Sequence, residues 1–354
     1  MFFLFKKKFI VGLKNHEALM LIISRTPVRI SLFGGGTDYP DYFSRKKGAV
    51  LGTTIKQFIY VSINQMLQMG SFFDHKIRVG YSKTELVQNI LEIAHPSVRE
   101  CLKHHKFDAN LDIHIFSDLP AKTGLGSSSS FTVGFLNALY AIKGLRISKQ
   151  KLAEEACLIE QTKIKEHVGS QDQFHAAHGG LNIIEFTQDE IKLRPVLVSK
   201  EKKKLFQDSV MVFYTGLTRF ASEVAKEQID KTKTLSNDIY LEKMHDMVFE
   251  AEKIFATCES NEMIQQLGSL LHTSWLLKKK LSKKISTALI DKYYETAIEA
   301  GAIGGKLCGA GSGGFLAMIV PTEKQPKVRN ALKNLLEVPF QIEPDGSTII
   351  YMKD

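Results

Sequence analysis

Residues 118–133, Asp-Leu-Pro-Ala-Lys-Thr-Gly-Leu-Gly-Ser-Ser-Ser-Ser-Phe-Thr-Val, leave the chain few choices. Before them, residues 111–116 alternate apolar and polar, the pattern of a β-strand. After them, apolar residues recur at helical spacing over 131–142. The order is therefore strand, glycine-rich loop, helix start. Gly124 and Gly126 carry no Cβ, so backbone N–H groups there can approach a bulky anion. Ser127, Ser128, Ser129 and Ser130 fall where a helix leaves its first N–H groups unpaired and its dipole is positive. Such a turn suits phosphate, with hydroxyls to spare for a metal ion. It is not a Walker loop, because no Gly-Lys-Ser/Thr follows at the required spacing, and it is not a G-x-G-x-x-G dinucleotide fingerprint.

Two further glycine-rich stretches flank this one, Arg25-Thr-Pro-Val-Arg-Ile-Ser-Leu-Phe-Gly-Gly-Gly-Thr-Asp38-Tyr and Lys306-Leu-Cys-Gly-Ala-Gly-Ser-Gly-Gly-Phe315, roughly 90 residues before and 180 after it. The 354 residues, 44% hydrophobic and 24% charged, suit a globular protein of two lobes. None of the four cysteines forms a C-x-x-C pair, which disfavours a zinc site or disulfide framework and fits a reducing cytoplasm. The formal charge of +9 comes from scattered lysines. Runs such as Lys202–Lys204 and Lys278–Lys280 read as solvated helix faces, and the excess favours anionic substrates. No aromatic-basic interleaving marks a nucleic-acid module. No stretch of about 18 apolar residues marks a membrane helix. Residues 1–19 place lysines after apolar residues, unlike a secretory signal, and are expected to be a disordered extension before a fold that begins at Met20.

Strands are expected at 21–33, at 50–65 in two pieces broken near Lys56-Gln57, and at 77–81, 181–186, 209–214, 302–307 and 315–320. Helices are expected at 86–105, 149–167 and 327–336, with several helical periods across 219–300. Glu343-Pro-Asp-Gly346 reads as the turn of a closing hairpin. From residue 209 onward the order fits a βαββαβ split fold with extra helices inserted after its first strand.

The three glycine-rich stretches, in this order, resemble the motifs of the GHMP kinases, and the resemblance covers nearly the whole chain from Met20 onward. It implies an α+β fold of two lobes: a ribosomal-protein-S5-domain-2-like lobe over 20–205 and a ferredoxin-like lobe over 206–354. It also implies ATP as phosphoryl donor and Mg²⁺ as cofactor. Pro120, Gly124, Leu125, Gly126 and Ser127 to Ser130 would form the nucleotide loop. Asp172, in Val168-Gly-Ser-Gln-Asp-Gln-Phe174, matches the family carboxylate that faces the acceptor hydroxyl and takes up or orients its proton. The family's glycine pair is reduced here to Gly169-Ser170. Glu160, twelve residues earlier, matches the metal-binding Glu and would hold Mg²⁺ with Ser128 or a neighbouring Ser127 or Ser129. Arg29 matches the Arg of an Ala-Pro-Gly-Arg motif, with Val28 in place of that glycine, and would stand beside Asp172.

Gly35, Gly36, Thr37 and Asp38 match the sugar-gripping turn of the sugar-kinase branch. The Glu and His of the galactokinase pattern Gly-Glu-His-Thr-Asp are absent, so galactose is not the expected substrate. Gly309, Gly311, Ser312 and Gly313 would close the phosphate side of the cleft. Several phrases, Gly34-Gly-Gly-Thr-Asp-Tyr-Pro, Arg78-Val-Gly-Tyr-Ser-Lys-Thr-Glu85 and Tyr214-Thr-Gly-Leu-Thr-Arg219, resemble the branch that phosphorylates the anomeric oxygen of a heptose 7-phosphate. Such a sugar phosphate needs cations beyond the acceptor site, and Lys83, Arg78 and Arg219 are the candidates. A fucokinase-like enzyme acting on a free sugar and a catalytically silent sugar and ATP sensor are the alternatives. Partners are expected to be small molecules, with neither nucleic acid nor membrane, and monomer and homodimer are both compatible with the sequence. His104, His105, His175 and His178 show no metal-ligand pattern, and Trp275 is expected to pack within a helix pair.

Overall fold

A computed structural model describes residues 20–66, 74–107, 110–120, 123–217 and 221–353, with side chains omitted at 221–224. The expected extension at 1–19 and the candidate Arg219 lie outside the described residues. Strands and helices run in the order β1 (Leu21–Phe33), α1 (Pro40–Phe43), β2 (Gly48–Gln65), β3 (Ile77–Gly80), β4 (Thr84–Val87), α2 (Pro96–His104), β5 (Leu111–Ser117) and α3 (Ser127–Ile142). They continue with α4 (Lys149–Cys157), a π-helical turn (Leu158–Ile164), α5 (Gln171–His178), β6 (Leu181–Phe186), β7 (Ile191–Pro195), α6 (Lys200–Asp208) and β8 (Val210–Tyr214). Then follow α7 (Ala221–Lys233), α8 (Asp238–Thr257), α9 (Ser260–Leu281), α10 (Ala288–Glu299), β9 (Gly304–Leu307), β10 (Phe315–Ile319), α11 (Gln325–Ala331), β11 (Leu336–Val338) and β12 (Thr348–Lys353).

Two sheets organise the chain. The first has eight strands, ordered β12-β1-β2-β5-β3-β4, with β6 on β2 and β7 on β6. The second has four, ordered β11-β8-β10-β9 and antiparallel throughout. Numbered by appearance, that is the 4-1-3-2 order of the expected split βαββαβ unit. The second sheet starts at Val210, beside the proposed lobe boundary after residue 205, but β12 crosses back to pair with β1.

Several elements differ from the sequence expectation for identifiable reasons. Residues 50–65 form one strand, not two. The register jumps from Pro27↔Phe58 to Val28↔Ile55, so Lys56 and Gln57 form a bulge opposite the proline that cannot donate to the ladder. The helix expected over 86–105 begins only at Pro96, whose fixed φ suits a first helical position, and β4 takes the start of that stretch. No closing hairpin forms at Glu343–Gly346: β11 joins the second sheet and β12 the first, so this segment connects the sheets.

α3 is buried on nearly every side, by β1 and β2 on one flank and α4 and α5 on the other. Its contact with β1 is close: the Ser24 hydroxyl donates to the Gly134 carbonyl at 2.8 Å. Trp275 is fully buried in the second core beside Tyr294, as expected of a packing residue. His175 is fully buried and neither ring nitrogen has a hydrogen-bond partner. Burial, with Arg29 and His178 adding to it, pushes its pKa down to about 3 from 6.5. The unfolded chain therefore takes up the proton first, and the stability this neutral ring contributes above 6.5 is lost as pH falls toward 3. Between pH 6.5 and about pH 5 the loss is about 2 kcal/mol. Urea unfolding of wild type and His175→Leu at both pH values checks this: the wild type should lose about 2 kcal/mol more than the variant. Equal losses would contradict it.

Candidate active site

β1 and the serine-rich loop are pinned together by backbone. Arg29 N donates to the Leu125 carbonyl at 3.0 Å, and the Ser130 hydroxyl donates to the Pro27 carbonyl at 2.8 Å. Ser130 N closes the first turn of α3 onto the Gly126 carbonyl at 2.9 Å. Gly126 is the N-cap in left-handed conformation, φ 74°, and offers no side-chain cap. The first N–H groups of α3 thus stay available at the positive end of a sixteen-residue helix with no acidic residue in its first turn. A Cβ on Gly126 would lie 3.1 Å from an Asp172 oxygen and 3.3 Å from the Arg29 guanidinium carbon. The missing side chain is what lets those two groups come up to the loop.

Arg29 is 5% exposed. Its Nε and Nη2 donate to the two oxygens of Asp172 at 2.8 and 2.6 Å, and Nη1 donates to the Gly124 carbonyl at 2.7 Å. One guanidinium therefore fixes both the carboxylate and the loop. The Asp172 side chain keeps 22% of its surface exposed while Arg29 keeps 6%, so the open side of the pair belongs to the carboxylate. Asp172 lies in the first turn of α5, whose entry is set by Ser170 N donating to the Asp38 carbonyl at 2.9 Å. A Cβ on Gly169 would lie 2.0 Å from an Asp38 oxygen, so the surviving glycine of the shortened pair is sterically required.

The neighbouring residue Gln173 points the other way, to Glu160, and joins two carboxylate sites through adjacent positions of one helix. Glu160 is fully buried on the π-helical turn that continues α4, a widened turn of a kind frequent at functional sites. Ser129 Oγ donates to its Oε2 at 2.8 Å. Its Oε1 is buried without a partner; the nearby Thr132 hydroxyl bonds instead to the Ser128 carbonyl at 3.2 Å. Burial pushes Glu160 up to about 7, against hydrogen bonds that act the other way. An unsatisfied carboxylate oxygen beside serine hydroxyls at a helix start is a donor set a hard divalent cation accepts.

The third glycine loop meets the second backbone to backbone. A Cβ on Gly124 would lie 2.5 Å from the Cys308 carbonyl oxygen, and one on Gly309 would lie 2.4 Å from the Gly124 Cα. Gly311 and Ser312 contact the Lys284–Ile285 backbone: Ser312 N donates to the Ile285 carbonyl at 2.9 Å and its hydroxyl to that of Lys284. Gly313 packs on the Leu217 carbonyl.

Asp38 is nearly buried, with Oδ1 accepting from Gly36 N and Oδ2 from Gln171 Nε2, both at 2.8 Å. Burial pushes its pKa up, and the charge of Asp172 adds to that. Thr37 is fully buried, its hydroxyl donating to the Gly34 carbonyl and accepting from Ala49 N. Of the four turn residues expected at a sugar, Gly35 alone is part-exposed; Tyr39, which follows Asp38, is part-exposed as well. Lys83 stands exposed in the β3–β4 connection, with β3, β5 and β2 between β4 and β1. Arg78 is engaged with Asp112. Ser127 is half-buried, Ser128 and Pro120 are exposed, and Leu125 is buried.

Sequence reasoning passed over Tyr39, Gln171 and Gln173, although each adjoins a residue it singled out. It also misplaced Lys278, which is buried and donates to the Leu307 carbonyl at 3.1 Å. Trp275, Lys278 and Leu281 share a helical spacing and one buried face, a pattern that the lysine run hid. The four histidines belong to no metal cluster; no group of three or more His, Cys, Asp or Glu among the described residues could hold a metal ion. No helix among the described residues is long and apolar enough to cross a membrane.

Family models for the GHMP kinases N terminal domain and the GHMP kinases C terminal region match residues 80–180 and 258–338. The chain is 28% identical to a D-glycero-alpha-D-manno-heptose 7-phosphate kinase of Campylobacter jejuni, over 88% of this chain and 93% of that one. It is 26% identical to an L-fucokinase/L-fucose-1-P guanylyltransferase of Bacteroides fragilis, over 89% of this chain and 36% of that longer protein. Its fold matches a crystal structure of a D-glycero-D-manno-heptose 1-phosphate kinase of Bacteroides thetaiotaomicron with TM-score 0.73 and 23% identity, covering 94% of this chain and 100% of that one. With both family regions matched in order, the first of them carrying Asp172, the chain belongs to the GHMP kinases and is an ATP-dependent kinase.

Proposed function

We propose that the protein transfers the γ-phosphoryl group of ATP to the anomeric hydroxyl of D-glycero-D-manno-heptose 7-phosphate, giving the 1,7-bisphosphate for nucleotide-activated heptose and surface polysaccharide. The observation that carries the reading is the Asp172 carboxylate, held at both oxygens by Arg29, part-exposed, and close to Gly126, the N-cap of α3. There the acceptor hydroxyl would donate its hydrogen bond to Asp172. An anomeric hydroxyl is more acidic than an ordinary alcohol, so a modest base suffices. Arg29 would offset charge on the group in transit. The Campylobacter jejuni relative supports the heptose 7-phosphate substrate. A cytoplasmic setting, where ATP and sugar phosphates occur, agrees with four free thiols.

The cofactor in this reading is Mg²⁺, which when bound neutralises phosphate charge; Glu160 Oε1 and the Ser127–Ser129 hydroxyls would hold it. Glu160→Gln should raise the Mg²⁺ concentration needed for half-maximal rate by about tenfold or more, since a charged ligand becomes a neutral one. An unaltered Mg²⁺ titration would contradict this role.

A second reading, a fucokinase-like kinase of a free sugar, is favoured by one observation: Arg78 is bound to Asp112 and Lys83 is remote in strand order from β1. A panel of free sugars and sugar phosphates with Mg·ATP, scored for ADP release, separates the two. The heptose 7-phosphate should be turned over and its dephosphorylated form scarcely at all. Preference for L-fucose or another free sugar would overturn the first reading.

A further inference from the structure

The junction of the two sheets buries two ammonium groups that the transfer chemistry leaves unused. Lys278, in the last turn of α9, is 7% exposed, and Lys306, on β9, is 2% exposed. Lys278 Nζ donates to the carbonyls of Leu307 (3.1 Å) and Gly309, at the root of the third glycine loop. Lys306 Nζ donates to the Leu32 carbonyl at 2.9 Å and so ties β9 to the end of β1. Both ammoniums meet carbonyl dipoles and neither meets a carboxylate. Each ammonium has three N–H donors, so neither is saturated by these bonds.

A charge withdrawn from water is strongly disfavoured unless a well-placed counter-charge accompanies it. Burial pushes Lys278 down to about 7 and Lys306 down to about 8. Lys306 and Arg29 push Lys278 further down, and Cys308 and Asp38 act the other way. Asp38 is itself pushed toward its neutral form by burial, and the charge of Arg29 is already matched by Asp172. Neither lysine thus has a carboxylate partner in the junction, and an anion bound there would favour their charged forms.

The contacts form one continuous chain. Lys278 holds the Gly309 carbonyl, Gly309 lies on Gly124, the Gly124 carbonyl holds Arg29, and Arg29 holds Asp172. We propose that Lys278 is a positioning residue for the phosphate chain of the nucleotide: its Nζ seats the third glycine loop on the second and takes up a positive charge that bound phosphate matches. Lys306 holds β9 to β1 for the same purpose. The proposal rests on the ATP-dependent kinase assignment and is independent of which sugar is phosphorylated.

Two variants separate charge from packing. Lys278→Gln keeps a donor and loses the charge, whereas Lys278→Met loses both. Calorimetry of the full chain with Mg-free ATP in EDTA, at about pH 8 in buffers of different ionisation enthalpy, reads affinity and proton exchange together. The wild type should take up protons on binding, because a bound anion favours the charged lysine. Both variants should bind ATP about tenfold or more weakly and take up fewer protons. The KM for ATP should rise in step while kcat changes less than about threefold. ATP affinity within twofold of wild type in Lys278→Gln would overturn the proposal. So would weakened binding of the sugar phosphate with ATP binding intact. Should neither variant fold, absence of proton uptake by the wild type would overturn it on its own, and uptake would support it.

Discussion

Replacing Asp172 with Asn should lower kcat by about a hundredfold or more while ATP and sugar remain bound. The substitution keeps the shape of the side chain and one oxygen for Arg29 to hold. It removes the negative oxygen that accepts the acceptor hydroxyl's proton, and it places an NH₂ group where a guanidinium N–H now points. Two donors then face each other, so the amide should rotate and disturb the Gly124 carbonyl through Arg29. The loss should therefore appear mainly in kcat, with KM for both substrates changed only a few fold. Steady-state kinetics with each substrate varied in turn measure this. Unchanged turnover would remove Asp172 from its role.

Arg29→Met should be about as damaging, and Arg29→Lys should rescue little of the loss. Arg29 uses three nitrogens on two partners, Asp172 and the Gly124 carbonyl, from a position that is nearly buried. A methionine fills much of the space but leaves a carboxylate and a carbonyl without their donor. A lysine restores the charge but cannot reproduce a planar fork that reaches both partners. Loss of one such electrostatic partner costs about a hundredfold to a thousandfold in kcat in comparable sites. Kinetics of the two variants, together with melting temperatures, check the expectation. A lysine variant with wild-type kcat would show that position 29 supplies charge alone, without the geometry argued above.

The site was legible in the sequence where local signals and spacing coincide. A strand, two glycines and a serine run announce a helix start with uncapped N–H groups, without any knowledge of the rest of the chain. The pairing of Arg29 with Asp172 is a different matter. Those residues are separated by most of one lobe, and the resemblance to a family brought them together before the structure did. Periodicity failed where backbone chemistry overrode it. Pro96 set the start of α2, and Pro27 drew β2 into a bulge where a break was expected. The closing hairpin failed because turn residues report a change of direction and not the strand that follows pairs with which sheet. Lys278 was read as solvated because its neighbours are; burial of a lysine needs a partner surface that a single sequence does not display. Asp38 shows the same limit for local bonds: its oxygens accept from Gly36 N and Gln171 Nε2, and neither partner was legible in the motif.

The most direct measurement is a crystal structure with a non-hydrolysable ATP analogue and Mg²⁺. The account predicts the triphosphate along the first turn of α3, between Gly124–Ser130 and Gly309. It also predicts the metal at Glu160 and the γ-phosphorus aimed toward the open side of Asp172. A nucleotide bound elsewhere, or a γ-phosphate turned away from Asp172 across the junction, would contradict it.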